Sequence, residues 1–540
     1  MDPFSPIFLL VLGTVAILVG RPRSVRVSGV TALATAFFAA GVMLMLGFRL
    51  PTAVALSRWQ TDSLFGGALR LTADGASWLL ALALLLALFS TCLIGLSSRT
   101  KRAGRHRGGS LLVVACALVA VFADNLMTLA IAWAALDLVT FFSLALARGE
   151  KWVAAEFTIG LFAVALVLAA ALVGVQAGVP PGLGGGEPPA QGGLFLVLAT
   201  MLRLGLYPVH VGARRILGSR WGQIESITRL ASIAVAVDLL AVLALQTQVI
   251  PLRGWLTLAA LAGGLVGGWK WYSASTPREQ LTHMLLAQTG VIVLTFLWGG
   301  QWAEAGVIAQ GLSVLLAGTV LSLFRGDVAT GRSGAFSPAV AALVLGGLPF
   351  TVGFVGTLAV YSGLLQAGIW ALALPIVVVV QALLIAGALR LAFFPGQGPP
   401  QQAPFAKTGY LLGLAMPAAT GVLAGLSPDR LAALLGAAEF PGWAAMLAPE
   451  GFTALGSALL AGGIGIGLWQ FWEQLQVKRA AIPHLALVSA LELRWLHASL
   501  RTMYRGLARA MHAAALVLEG QGGVLWALVL VTVVWLALEG

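Results

Sequence analysis

The chain has 540 residues, 59% of them hydrophobic and only 10% charged, with a mean hydropathy of +0.95. A soluble globular domain carries about a quarter charged residues, so this composition excludes one and describes a polytopic membrane protein made of successive apolar runs of about 20 residues. The net charge of +12 belongs to the connections between those runs; it is a topology signal and excludes a nucleic-acid surface as its explanation.

The hydropathy pattern predicts about sixteen spans, near residues 4–20, 28–48, 75–97, 110–123, 126–147, 152–177, 193–213, 226–247, 253–272, 279–298, 302–324, 337–365, 368–394, 407–426, 452–475 and 522–538. The first is read as a true span and not as a signal peptide, because Asp2 precedes it while Arg21 and Arg23 follow it. Connections after odd-numbered spans carry Arg21, Arg23 and Arg26, then Arg99 to Arg107, then Arg148 and Lys151, then Arg214, Arg215 and Arg220. Roughly 25 of the 32 Lys and Arg fall on this face and about five on the other, which makes it cytoplasmic and puts the N-terminus outside. Cys92 and Cys116 both lie in apolar runs, so no disulfide framework is expected, and the chain has no iron–sulfur or haem motif. No cofactor and no metal site is assigned, and any redox centre is expected in another subunit.

Within this frame, a few residues are out of place in lipid. The seventh span, FLVLATMLRLGLYPVHVGA, carries Arg203 at mid-depth, an interruption at Pro208 and then His210. The twelfth, LGGLPFTVGFVGT, is interrupted at Pro349 and Gly353. An intramembrane charge must face protein or water, and paired interrupted helices in two halves of a chain point to a transport path. Asp137 in span five and Asp238 in span eight are the acids placed deepest. Glu156 either extends this polar axis or sits in a first turn near water, and His283 and Glu304 lie near the starts of spans ten and eleven. Asp124-Asn125 reads as a cap for span five, and Trp59, Trp269, Trp271 and Tyr272 as interface anchors. GGIGIG at 462–467 superficially resembles a dinucleotide fingerprint, but it lies inside an apolar run with no preceding strand, where small residues serve close helix packing.

These residues resemble the antiporter-like membrane subunits of respiratory complex I, membrane-bound hydrogenases and multisubunit cation/proton antiporters. DLVTFFSLAL at 137–146 is similar to the family's Glu-Leu-x-x-Leu-x-Ser-Tyr-x-Leu, with Asp137 for the glutamate. MLRLGLYPVH matches Lys-x-x-x-x-Pro-x-His with Arg203 for the lysine, GGLPFTVGFVGT matches the second interrupted helix, and LLAQTG places Gln288 where relatives carry His or Gln. The resemblance covers about residues 75–425. It implies an all-α fold with two inverted five-helix repeats, set out as spans 1–3 (1–109), the first repeat (110–250), the second repeat (251–395), two further spans (396–475), a cytoplasmic-side amphipathic arm (476–519) and a last span (520–540).

The departures bear on function. The bridging lysine of span eight falls near Ala234, Gln310 occupies a usual His position, and Thr357 ends its motif without an ionisable group. The resemblance implies a non-redox subunit of a multisubunit ion pump in a prokaryotic inner membrane, with other membrane subunits, lipid, and protons or sodium ions as partners. Its pathway residues would be Asp137, Arg203, His210, Asp238, Glu156, His283, Gln288 and Gln310. Two alternatives stand beside this: a non-conducting scaffold, in which Asp137–Arg203 is only a buried ion pair, and a membrane partner of an inorganic-carbon uptake system.

Overall fold

A computed structural model describes residues 2–20, 24–60, 68–96, 103–148, 150–179, 182–183, 188–206, 223–246, 250, 252–274, 277–324, 332–393, 404–435, 446, 448–472 and 474, with single positions at 502, 506 and 509. The chain divides into two units, Met1–Arg479 and Ala480–Gly540, and the helix bundle is the first of them. Pro208, His210, nearly all of the arm at 476–519 and the last span lie outside the described residues.

The elements run α1 (Phe4–Leu18), α2 (Val25–Leu46), β1 (Thr52–Gln60), β2 (Ala68–Ala73), α3 (Gly75–Gly95), α4 (Ala103–Val121), α5 (Leu126–Arg148), α6 (Glu150–Gln176), α7 (Ala190–Leu204), α8 (Gln223–Gln246) and α9 (Arg253–Ser273). They continue with α10 (Pro277–Trp298), α11 (Ala303–Leu323), α12 (Arg332–Leu345), α13 (Val352–Gln366), α14 (Leu374–Ala392), α15 (Pro404–Leu426), the short α16 (Pro428–Leu435) and α17 (Pro449–Gln470). Among the described residues ten helices are long and apolar enough to cross a bilayer, and the chain is a multi-pass membrane protein. Fifteen of the sixteen expected spans coincide with helices here, except that the twelfth is two shorter helices, α12 and α13.

Burial sorts these helices. α10 and α11 are enclosed along nearly all of the apolar stretch of each, whereas α2, α6 and α17 bury only about a third of theirs. The exposed side chains of the outer helices are Phe, Leu and Val, such as Phe37, Phe162 and Leu459, as expected where the solvent is lipid. Small residues supply the tight contacts, because lipid gives helices no hydrophobic reason to associate. A Cβ on Gly267 of α9 would meet the Ala287 backbone of α10 at 2.6 Å.

At one end of the bundle the chain forms a hairpin that the sequence reading treated as a plain connection. β1 and β2 pair antiparallel with Thr52 opposite Ala73 and Val54 opposite Leu71. β2 then pairs outward: Thr72 N donates to Phe122 O at 2.7 Å and Asp124 N to Arg70 O at 3.1 Å, and Leu183 N donates to Asp124 O at 2.8 Å. Three connections are thereby stitched together. Asn125 caps α5 as expected, its Oδ1 accepting from Thr128 N at 2.7 Å. Trp271 corrects another expectation: it is fully buried and donates to Leu384 O at 2.9 Å, so it ties α9 to α14 and anchors no interface.

At the opposite end of α4, Arg107 is buried and joins the first turn of α2 to the last turn of α3. Its Nη1 donates to Val25 O at 2.6 Å and Ser28 Oγ at 3.0 Å, and its Nη2 donates to Gly95 O at 2.6 Å. Gly95 O is an orphan carbonyl of the last turn of α3, where a cation is doubly favoured. Arg107→Ala is expected to lower resistance to SDS unfolding of the purified chain by about 2 kcal/mol, whereas replacing Arg49, whose surroundings include no such clamp among the described residues, leaves the unfolding midpoint unchanged.

Candidate functional site

Arg203 occupies the last turn of α7, and the helix stops one residue later. Gly205 takes the left-handed conformation at φ 72°, with Gly205 N donating to Leu202 O at 3.1 Å and Leu206 N to Met201 O at 3.0 Å. This paired closure is the Schellman arrangement, which glycine enters without steric penalty. The helix therefore ends at Gly205, three residues before the proline to which the sequence reading gave the interruption. Beyond the closure, Thr289 Oγ1 of α10 donates to Leu204 O at 3.2 Å.

Opposite Arg203 stands α5. Trp133 and Asp137 are four residues apart on it and so share one face. Arg203 Nη1 donates to Asp137 Oδ1 at 3.1 Å and Nη2 to Asp137 Oδ2 at 2.9 Å, a bidentate fork. The guanidinium also lies 4.2 Å from the Trp133 ring, with Trp133 O 3.4 Å from Nη2. The pair is largely buried: its side chains are 3% and 12% exposed for Arg203 and Asp137. Asp137 reaches this position because α6 presents Gly160, where a Cβ would meet Asp137 Oδ2 at 2.5 Å.

A second ion pair lies beside the first, involving a residue the sequence reading missed. Arg229 of α8 places Nη2 2.7 Å from Glu156 Oε1 of α6, with side chains 18% and 24% exposed. Both pairs line one cavity of about 60 Å³ between α5, α6, α7 and α8, together with Thr140, Thr228 and Ser232. That volume holds a few water molecules. Glu156 Oε2 and Arg203 Nε are buried and have no hydrogen-bond partner among the described residues, and they offer polar contacts to such water. Glu156 and Asp137 thus line the same cavity. Arg229 carried a readable signal: it is a lone cation seven residues into an apolar helix.

The other expected residues fall elsewhere. Asp238 is buried on α8 and does not line this cavity. His283 is buried on α10. Gln288 and Gln310, each 1% exposed, bond to each other, Gln288 Nε2 donating to Gln310 Oε1 at 2.7 Å. Pro349 lies in the interval between α12 and α13 and Gly353 in the first turn of α13. α12 ends as α7 does: Gly347 is at φ 63°, Gly347 N donates to Val344 O at 3.2 Å and Leu348 N to Leu343 O at 3.1 Å. The side chains seen to bond around this second interruption are neutral. Ser313 Oγ donates to Val344 O at 2.8 Å, Gln381 Nε2 to Thr357 Oγ1 at 3.0 Å, and Tyr361 to Gln381 Oε1. Among the described residues no group of three or more His, Cys, Asp and Glu could hold a metal ion.

No protein-family model and no curated protein matches the sequence. Solved structures do. The chain is similar to a chain of the Mrp complex from Dietzia sp. DQ12-45-1b, with a TM-score of 0.76 and 20% identity over 99% of this chain and 62% of that one. It has the fold of the antiporter-like membrane subunits. A chain of the membrane-bound sulfane sulfur reductase, an archaeal respiratory membrane complex, gives a TM-score of 0.70 at 14% identity over 98% of this chain and 99% of that one. A chain of respiratory complex I from Thermus thermophilus gives 0.61 at 22% identity over 78% and 98%. The antiporter-like fold here thus spans 62% of the length of the Mrp-complex chain it matches.

Removing one member of a buried pair strands the other charge, at about 3–5 kcal/mol. Arg203→Ala is therefore expected to destabilise the chain by that amount, and the double variant Asp137→Asn/Arg203→Ala by less than Arg203→Ala alone, in SDS unfolding. Gly160→Ala is expected to cost about 1–3 kcal/mol by pushing on the Asp137 carboxylate.

Proposed function

We propose that the chain is a membrane subunit of a multisubunit ion-translocating assembly and that it moves protons through the cavity beside Asp137. The observation that carries this reading is a desolvated, bidentate Asp137–Arg203 pair at the end of an interrupted helix, opening on space for water. An ion pair kept only for stability gains nothing from a neighbouring polar cavity, and a buried pair is itself weak support for a fold.

The chemistry selects the proton as cargo. A guanidinium stays protonated, so Arg203 is a fixed charge and the exchangeable proton resides on a carboxylate or on water. Sodium would need several oxygen ligands, and both Asp137 oxygens are taken by Arg203. A proton needs one lone pair. When Asp137 accepts it, Arg203 keeps the Trp133 ring and carbonyl as partners, so the cation has no need to leave its place. The partners named around α12 and α13 are uncharged at neutral pH, so the proposal places charge movement in the first half. Fold likeness to chains of respiratory membrane complexes supports the assembly reading.

In proteoliposomes holding the intact assembly, Asp137→Asn is expected to slow proton translocation at least about tenfold with assembly unchanged, while Gln310→Leu stays near the parental rate. A parental rate in Asp137→Asn contradicts the proposal and leaves the chain a scaffold. A loss in Gln310→Leu extends the path into the second half.

A further inference from the structure

We infer that Glu156 is the group that loads protons onto Asp137, from the side of the membrane on which α6 and α8 begin. The inference rests on the reading of Asp137 given above and names the residue that supplies it.

The placement comes from helix geometry. Asp137 is eleven residues from either end of α5, about 16 Å from each face. Glu156 is the seventh residue of α6 and Arg229 the seventh of α8, each about 9 Å from the start of its helix. Gly160, which touches Asp137, lies four residues after Glu156, so the two positions are neighbours on one face of α6. The cavity lined by both carboxylates therefore descends from mid-depth toward the face where α6 and α8 begin. The charge pattern assigns that face to the cytoplasm.

The side-chain state fits a carrier better than a strut. Arg229 Nη2 lies 2.7 Å from Glu156 Oε1, and that contact is not directed as a hydrogen bond. Oε2 is buried in the cavity wall with no partner. Asp137, by contrast, has both oxygens held. A free carboxylate oxygen beside a fixed arginine takes up a proton without breaking an existing hydrogen bond. In the proposed step a hydronium ion from that side of the membrane protonates Glu156 Oε2 and leaves as water. Glu156 then passes that proton to a cavity water, which delivers one to Asp137 in place of one of the two Arg203 hydrogen bonds; Glu156 returns to its anion and no other covalent bond changes. Phe141 and Phe157, with ring centroids 5.1 Å apart, form the apolar part of the same wall and limit the width of the water column.

The test combines two measurements on Glu156→Gln, Glu156→Asp and Asp137→Asn. Infrared difference spectra of the purified full-length chain on a pH change report protonated carboxyl bands, and proteoliposomes of the intact assembly report translocation. The expected result is two titrating carboxyl bands, one missing in Glu156→Gln and the other in Asp137→Asn. Translocation is expected to fall tenfold or more in Glu156→Gln and to recover substantially in Glu156→Asp. If Glu156→Gln slows translocation but removes no titrating band, Glu156 is a structural partner of Arg229 and the inference is overturned. If Glu156→Gln translocates at the parental rate while Asp137→Asn does not, the inference fails and the reading of Asp137 survives. Parental rates in both overturn both. Should Glu156→Gln not assemble, Glu156→Asp decides: a displaced band with slower translocation is expected, and an unmoved band contradicts the inference.

Discussion

A guanidinium at mid-depth in a hydrocarbon layer stays there only if its charge is neutralised and its donors are used, and the first half of this chain is arranged around that constraint. Arg203 needs an acid within reach, and α5 supplies Asp137. It needs a face for its flat surface, and Trp133, one turn away on α5, supplies an aromatic ring 4.2 Å off. The acid must come close to α6 to fit between helices, and Gly160 leaves it room. The helix carrying the arginine must end there, and Gly205 ends it without leaving its last carbonyls open. Each of these residues serves to satisfy one buried cation.

The two interrupted helices show what is common to the fold and what is particular to each half. α7 and α12 close with the same hydrogen-bond pattern around Gly205 and Gly347, and in both a hydroxyl from a neighbouring helix takes a carbonyl in the last turn, Thr289 to Leu204 O and Ser313 to Val344 O. The backbone problem and its answer are shared. The side chains differ: two ion pairs and a polar cavity beside the first interruption, and amides, hydroxyls and a tyrosine beside the second. Neutral hydrogen bonds hold that second interruption without the desolvation cost that charges carry, so the fold persists there without titratable groups.

Much of this was readable from residue order. Apolar run lengths and the arginine bias located fifteen helical spans, and the lone charges at 137 and 203 announced their pairing because each is costly alone. The glycine that ends α7 was overlooked because Pro208 is the louder signal, yet Gly-Leu at 205–206 recurs as Gly-Leu at 347–348, and that repetition was the better marker. The hairpin was missed because its strands lie between spans, where hydropathy is silent, although TAVALSRWQ and ALRLTA carry β-branched and alternating residues. Arg229 was legible as a lone cation seven residues into its helix, but its pairing with Glu156 was visible only in three dimensions. Nothing in their spacing of 73 positions says that they meet.

The most direct test of the account is whether the cavity holds water that joins its two carboxylates. A cryo-electron microscopy map of the assembled complex, at a resolution that shows ordered solvent, is expected to place water between Glu156 Oε2 and the Asp137–Arg203 pair, continuous toward the side on which α6 and α8 begin. A cavity that is dry, or filled by a lipid tail or a partner's apolar side chain, would contradict proton movement through this subunit.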